Sequence, residues 1–599
     1  ERCLPFLDKM TANPQINMHA PTCRNTRLHV FVIAALSVLS FWKLWLIQDV
    51  VWDDNTWLLS IYATSNLPEF LDTGWNQFRR PILGTLMYYL FGLHKTSDVF
   101  YPVWHALTLT AEIASPILLF YLVRLLFPRQ QVLAFFTAAV FILFHLDHSL
   151  PYASAIHYRI GQAFALGSLC LTVLSFKSPT KIRWRYYLTA LALGVIAHTA
   201  LIEPAIALEP GRILIIGWLV YGAGSRGASL KRLLMYGIPF LITIVPLAVY
   251  KMLHKPYGIY AGTYPTDPLF FINVSKNFNE LWQLLVHDWL TLLKVARHTD
   301  LAGIGAWLLT LTLLILVVRK LSVVPLREMS DTSADHAAGA SSPILRLRHA
   351  FFLSMVFLLP PVWLFEYAGL DTVLFGSQDN AHAIFMQTGY ALLLGTALAW
   401  LHQRYMQVPN SGRFLLLVLP LSLGALVNNV SLDLFRESWR QQTGFWSAFT
   451  QRFPSLPERA DFLFDIRGQG ALSDLRNHYD HEVWLNLLYS QAVDPIDFKR
   501  YRVVTLEDFV NYTKKNSAWQ PGEGRIERVT QLGPESINPK QLIVVLYVNN
   551  QIFVGHEILD RFGKQVPYWP WLQNQTLSPA IPSGKGVHPW RSRLQELGA

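Results

Sequence analysis

Charge is scarce in this chain. Of its 599 residues only 15% are Asp, Glu, Lys or Arg, against about 25% in soluble domains, and that shortfall excludes an ordinary soluble protein. Cysteine is scarcer still: Cys3 and Cys23 precede the first apolar run and Cys170 lies within one, so no disulfide framework is implied. There is no Gly-rich phosphate loop, no zinc-like Cys pattern and no internal repeat. No basic domain stands apart either, so the net charge of +10 does not imply nucleic acid. The Lys and Arg residues gather instead in short loops between apolar runs.

What is abundant is apolar. Hydrophobic residues make up 52% of the chain and aromatics 13%. Apolar runs fall near residues 28–48, 99–123, 131–146, 160–176, 186–202, 205–222, 233–250, 301–318, 350–366, 383–401 and 414–430. Each approaches the roughly 17–25 residues a helix needs to cross about 30 Å of hydrocarbon, which predicts about eleven spans. Alternate loops carry the bases, among them Arg24/Arg27, Arg124/Arg129, Lys177/Lys181/Arg183/Arg185 and Arg404/Arg413. The positive-inside rule then places the N-terminal tail, residues 1–27, in the cytoplasm and everything after about residue 431 outside. The start, "ERCLPFLDKM", has no initiator Met, with Met10 and Met18 as candidate starts. Arg24 and Arg27 before the first run, with no small-residue cleavage site after it, predict an uncleaved anchor.

Three regions follow: the tail, a transmembrane domain over 28–430 with a long first outer loop at 49–98, and an extracytoplasmic domain over 431–599. The first loop opens "QDVVWDDNTWLLSIY". Trp57, Leu58, Ile61 and Tyr62 share one helical face, which predicts a helix lying flat in the membrane interface. Residues 319–348 read as a polar cytoplasmic linker. In the last region, "QLIVVLYVNNQIFVGHEIL" predicts two strands around Asn549-Asn550, within a small domain of mixed structure.

Four outer features could carry chemistry. Asp53-Asp54 read either as a helix cap or as a functional pair; neighbouring residues point in different directions, so one acid faces a site while the other caps, orients or binds a metal. Arg79-Arg80 read either as interfacial anchors or as phosphate captors. "FHLDHSLPYASAIHYRIG" brings His145, Asp147, His148, His157 and Arg159 into one loop, as polar residues, substrate contacts or a weak metal signal. Glu203, Glu209 and Arg212 lie at the membrane boundary, and Glu112 lies within a span, positions that are costly for an ionisable group unless paired or used.

Taken in order, these stretches resemble the GT-C superfamily of integral-membrane glycosyltransferases, nearest the protein O-mannosyltransferase branch with its bacterial relatives and the tetratricopeptide-bearing transmembrane transferases. "VWDDNTWLL" resembles that family's acidic first-loop motif. "FRRPILGTLMYYLFGLHKTSDVFYPVWHALTL" is similar to its second stretch at Arg80, Pro81, Gly92 and His105. "LFHLDHSLPYASAIHYRIGQAFALGSLCL" resembles its second-loop signature at His145 and Arg159, and "HTALIEPAIALEP" its "KE…P" stretch. The resemblance covers about the first 220 residues. It implies an all-α polytopic fold of GT-C type with a small α+β extracytoplasmic domain, in a bacterial inner membrane. It also implies an inverting transfer from a polyprenyl-phosphate sugar, drawn from membrane lipid, to a hydroxyl on a protein, lipid or glycan. Asp53 would be the base, with Asp54 orienting it or helping to hold a divalent cation, the one candidate cofactor. Arg80 and Arg159 would stabilise the leaving phosphate, with His145 or His148 as supporting donors, and Arg79, Glu203 and His382 would be further substrate-binding residues.

The chain departs from the family in two places. Ile202 stands where the family has Lys, and Ala381 and His382 stand near an expected Arg and Tyr. Lys251, Lys255 or His382 would have to substitute, or the donor differs, or catalysis is lost. No tetratricopeptide repeats follow. The competing expectations are a degenerate GT-C protein serving as a subunit of a membrane complex, and a lipid-linked sugar transporter. Against transport, the acids cluster at one mouth rather than along a midplane path.

Overall fold

The computed structural model describes residues 23–47, 53–75, 80–96, 100–128, 130–147, 149–176, 182–221, 226–254, 282, 286–296, 299–323, 343–367, 383–405, 414–467, 478–489, 496, 500–506, 509–510, 525–530, 533–538 and 541–566. The fold is mostly helical with a small C-terminal sheet. In chain order the helices are α1 (Cys23–Phe41, continued by a 3-10 turn to Leu46), α2 (Asp53–Ala63), α3 (Pro81–Thr96), α4 (Phe100–Leu126), α5 (Gln131–Leu143) and α6 (Ile156–Ser175). Then come α7 (Trp184–Val195), α8 (Glu209–Tyr221), α9 (Arg226–Ile242), α10 (Val245–Leu253), α11 (Asp288–Val295) and α12 (Leu301–Val323). The chain continues with α13 (Pro343–Tyr367), α14 (Ile384–Tyr405), α15 (Leu415–Arg452), α16 (His478–Tyr489) and α17 (His556–Phe562).

Among the described residues six helices are long and apolar enough to cross a membrane: Thr26–Leu46, Phe100–Leu126, Ser229–Tyr250, Leu301–Leu321, Ile384–Arg404 and Leu415–Arg452. The other five expected spans fall on α5, α6, α7, α8 and α13. The 13 residues of α5 reach only about 20 Å at 1.5 Å per residue, short of the hydrocarbon thickness of about 30 Å. The helix therefore ends before the apolar run at 131–146 does.

Close helix contacts hold the bundle together. A side chain at Gly389 of α14 would collide with the Leu358 backbone of α13, and one at Gly395 with Thr137 of α5. Gly424 of α15 lies against the Leu143 carbonyl at the end of α5. Small residues at such points let backbones approach, the usual source of helix cohesion where lipid weakens the hydrophobic drive.

The first loop differs from its sequence expectation. Trp57, Leu58, Ile61 and Tyr62 are buried, but so are Leu59 and Ser60 between them. Helix α2 is enclosed in protein and does not lie flat at an interface. Its apolar residues join one cluster with Phe70, with α3 and with Phe100, Tyr101 and Trp104 at the start of α4.

Helix α15 has 38 residues, about 57 Å of continuous helix. Its first half is the apolar span, and its second half carries Phe445, Trp446 and Phe449 into the core of the C-terminal domain. The domain's main sheet has the order β2 (Tyr501–Thr505), β1 (Ala460–Ile466), β5 (Leu542–Val548), β6 (Gln551–Val554). Strand β1 pairs in parallel with both β2 and β5, while β5 and β6 form an antiparallel hairpin. A separate ladder joins β3 (Ile526–Thr530) to β4 (Gly533–Ile537). The two strands expected around Asn549-Asn550 are β5 and β6, and both turn residues have positive φ (51° and 59°), as a two-residue type I′ hairpin requires. Phe462 and Phe464 face α15 and α16, while Leu463 faces the opposite layer, the alternation of a strand covered on both sides.

Candidate functional site

Asp54 is fully buried one residue into α2, and its carboxylate serves a different helix. Oδ2 accepts the Ala153 amide at 2.8 Å and Oδ1 accepts the Ser154 amide at 2.6 Å. Those amides open the 3-10 turn Ala153–Ala155 that leads into α6, where N–H groups point out of the helix and favour a negative charge. Of the two sequence readings, capping describes Asp54, but across the fold instead of within its own helix. Asp53 starts α2; its side chain lies outside the described residues, as do Arg79, His148 and His382.

The loop that Asp54 holds is built by amide side chains. Where α5 ends, Gln387 Nε2 donates to the carbonyls of Phe141 (2.7 Å) and Phe144 (2.8 Å), and Gln387 Oε1 accepts the Leu146 amide at 2.8 Å. Asn428 Nδ2 donates to the Ile142 carbonyl at 2.9 Å. The last carbonyls of any helix lack internal partners, and irregular backbone at membrane depth survives only when enclosed by such groups. The next side chains, His145, Leu146, Asp147 and Ser149, are all buried.

Arg159 is 1% exposed and sits at the centre of this loop. Its Nη2 lies 2.6 Å from Asp147 Oδ2 and donates to Ser149 Oγ at 3.3 Å, while Nε is 3.3 Å from Glu112 Oε1. The Ser149 amide (2.8 Å) and hydroxyl both donate to Asp147 Oδ1. His145 Nε2 stands 3.8 Å from Glu112 Oε1, with Phe41 at its ring edge. Among the described residues neither ring nitrogen of His145, nor Nη1 of Arg159, makes a hydrogen bond. Glu112, ambiguous in sequence, is thus the second carboxylate on one guanidinium. That guanidinium is held between groups of its own fold.

Arg80, just before α3, donates from Nε to Glu203 Oε1 at 2.9 Å, and its Nη2 lies 2.6 Å from Oε2. Their side chains are 15% and 19% exposed, unlike those at Arg159. Glu203 begins the 3-10 turn Glu203–Leu208, just after Ile202, whose Cγ2 lies 2.7 Å from where a side chain would start at Gly161 of α6. The Arg80 pair and the Arg159 cluster are therefore attached to the same helix end. Glu209 and Arg212 pair with each other (2.6 and 2.9 Å), with Arg212 also donating to Thr172 and stacking over Phe240. They form a self-contained buried pair.

One set of ionisable residues escaped the sequence reading. Lys43, 1% exposed, contacts Asp300 Oδ1 at 2.8 Å and Asp433 Oδ2 at 2.5 Å, and so pins α1 to α12 and α15. Nearby, His105 Nε2 lies 2.6 Å from the Ile47 carbonyl. Burial pushes the Asp300 carboxyl upward, but the Lys43 hydrogen bond, the Gly303 amide and the Lys43 and Arg436 charges more than reverse it, leaving it below the usual carboxylate range. A single Lys near the end of an apolar run reads as a snorkelling side chain, so its partners were invisible in sequence.

Among the described residues no three His, Cys, Asp or Glu side chains are grouped to hold a metal. Asp54 accepts one backbone amide on each carboxylate oxygen. No family model, curated protein or solved structure matches the chain.

Proposed function

We propose that the chain is an inverting glycosyltransferase of GT-C type, with about eleven spans, that moves a sugar from a polyprenyl-phosphate donor to an acceptor hydroxyl. In this reading the N-terminus is cytoplasmic and the C-terminal domain extracytoplasmic, in a bacterial inner membrane. One observation carries it: the stretches that bear the resemblance are far apart in sequence yet bonded in space. Asp54 holds Ala153 and Ser154, Arg159 anchors the loop of His145 and Asp147, and Arg80 holds Glu203.

The residues divide the work as follows. The acceptor oxygen attacks the anomeric carbon as its O–H bond breaks and the C–O bond to the lipid phosphate breaks on the opposite face. Asp53 takes the proton, because an alcohol needs a carboxylate within hydrogen-bond reach. Asp54 fixes the end of α2 at which Asp53 stands. Negative charge gathers on the leaving phosphate, where a placed cation stabilises the transition state most. Arg80 suits that role better than Arg159, being partly exposed where Arg159 is buried between Asp147 and Glu112.

A second reading, a degenerate GT-C protein acting as a membrane-complex subunit, is favoured by a specific observation. Both described arginines of the site are already bound to carboxylates of their own chain. The experiment that separates the readings is release of polyprenyl phosphate by purified protein given polyprenyl-phosphate sugars. Asp53→Asn should lower release by about 10²–10⁴-fold with the melting temperature unchanged. Full turnover in that variant excludes Asp53 as the base; no release from the native chain with any donor selects the scaffold.

A further inference from the structure

Helix α2 is buried all round from Trp57 through Tyr62, whereas a helix at the edge of a fold keeps a polar face to water. The cover on one side comes from α3 and α4. On the other side it comes from the far end of the chain. Val483 and Leu487 of α16, together with Ile496, belong to the same apolar cluster as Trp57, Leu58 and Tyr62. The Ile496 amide also donates to the Tyr62 carbonyl at 2.9 Å. Tyr62 lies in the last turn of α2, where a carbonyl has no partner within its helix, so this bond supplies the missing donor.

Helix α16 has two working faces. Val483 and Leu487, one helical turn apart, meet α2, while Trp484, Leu485 and Leu488 enter the sheet core with Phe445 and Phe449 of α15. Because α15 runs unbroken from the bundle into that core, the sheet domain is held at a fixed place above α2. We infer that the C-terminal domain is a positioning element for the acid-bearing helix: α16 and Ile496 hold the C-terminal end of α2 while Asp54 holds its N-terminal end. The docking stands on geometry alone; its effect on turnover rests on the transferase reading above.

Hydrogen exchange on the full chain in lipid nanodiscs tests it. In Leu487→Asn, amides of α2 should exchange about tenfold faster or more, with those of α14 and of strands β1 and β5 unchanged. Sugar transfer should fall about tenfold through kcat, as a displaced reacting group predicts, with KM for the donor unchanged. Unchanged α2 exchange overturns the proposal. If the strands loosen as well, a second arm decides. In a chain carrying Tyr62→Cys and Ile496→Cys, oxidation should form a cross-link and leave native turnover; failure to cross-link overturns the docking. A native chain with no turnover on any donor removes the transferase reading and leaves the exchange result to stand by itself.

Discussion

The Ser154 amide donates to Asp54 Oδ1 at 2.6 Å, joining two loops a hundred residues apart. With Ala153 on the other oxygen, the carboxylate gives two helix-start amides an acceptor inside protein. Removing the acceptor of a buried donor costs about 1–3 kcal/mol for each donor. Asp54→Ala is therefore expected to lower the thermal midpoint clearly, and Asp54→Asn less, because its amide keeps one acceptor. An Asp54→Ala chain that melts with the native protein would show that the two loops are held by other means.

The Arg80–Glu203 pair yields a cycle measurement. Both partners are mostly buried and meet at two points, so a double-mutant cycle with Arg80→Met and Glu203→Gln should return a coupling of about 1–3 kcal/mol. Arg80→Lys should lose part of that coupling, since an ammonium lacks the directed Nε donor that meets Oε1. Additive single effects in thermal unfolding would mean the pair is geometric and nothing more.

How legible all this was depended on range. The hairpin at Asn549-Asn550 was visible because its turn chemistry is local. So was the membrane character, which follows from apolar run length. The run at 131–146 did not show where its helix ends, because hydropathy does not reveal that α5 stops at Leu143; the amides that end it, Gln387 and Asn428, come from distant helices. Asp54 and Arg159 were marked as important residues, but their partners are set by tertiary contact, and only the fold shows that Asp147 and Glu112 both lie against Arg159. The cover of α2 by α16, more than four hundred residues on, was likewise out of reach of the sequence.

Gly424 tests the turn at the end of α5 directly. A methyl group there would meet the carbonyl oxygen and carbon of Leu143, backbone atoms that cannot swing aside as a side chain could. Gly424→Ala should destabilise the bundle by about 1–3 kcal/mol, the usual cost of overpacking, and should raise the exchange of amides in the loop from Phe144 to Ser149. Gly305→Ala is the control, since nothing lies within 4 Å of its added carbon; it should be neutral or stabilise by up to about 1 kcal/mol through helix propensity. Equal effects of the two substitutions would contradict the close approach.

The Lys43 cluster gives a pH dependence with a definite sign. Asp300 has its carboxyl held below the usual range, chiefly by Lys43 and the Gly303 amide acting against burial, with Asp433 and Arg436 as the other charges facing it. A carboxyl lowered on folding contributes stability that is complete above its unfolded value of about 3.9. That contribution is lost as pH falls through the lower native value. The difference in thermal midpoint between the native chain and Asp300→Asn should therefore hold steady from pH 7 to about pH 5 and close in stronger acid. In a Lys43→Met background the difference should shrink at every pH, because the main stabilising partner has gone. A difference that instead widened on acidification would mean that burial, not the Lys43 bond, controls the carboxyl.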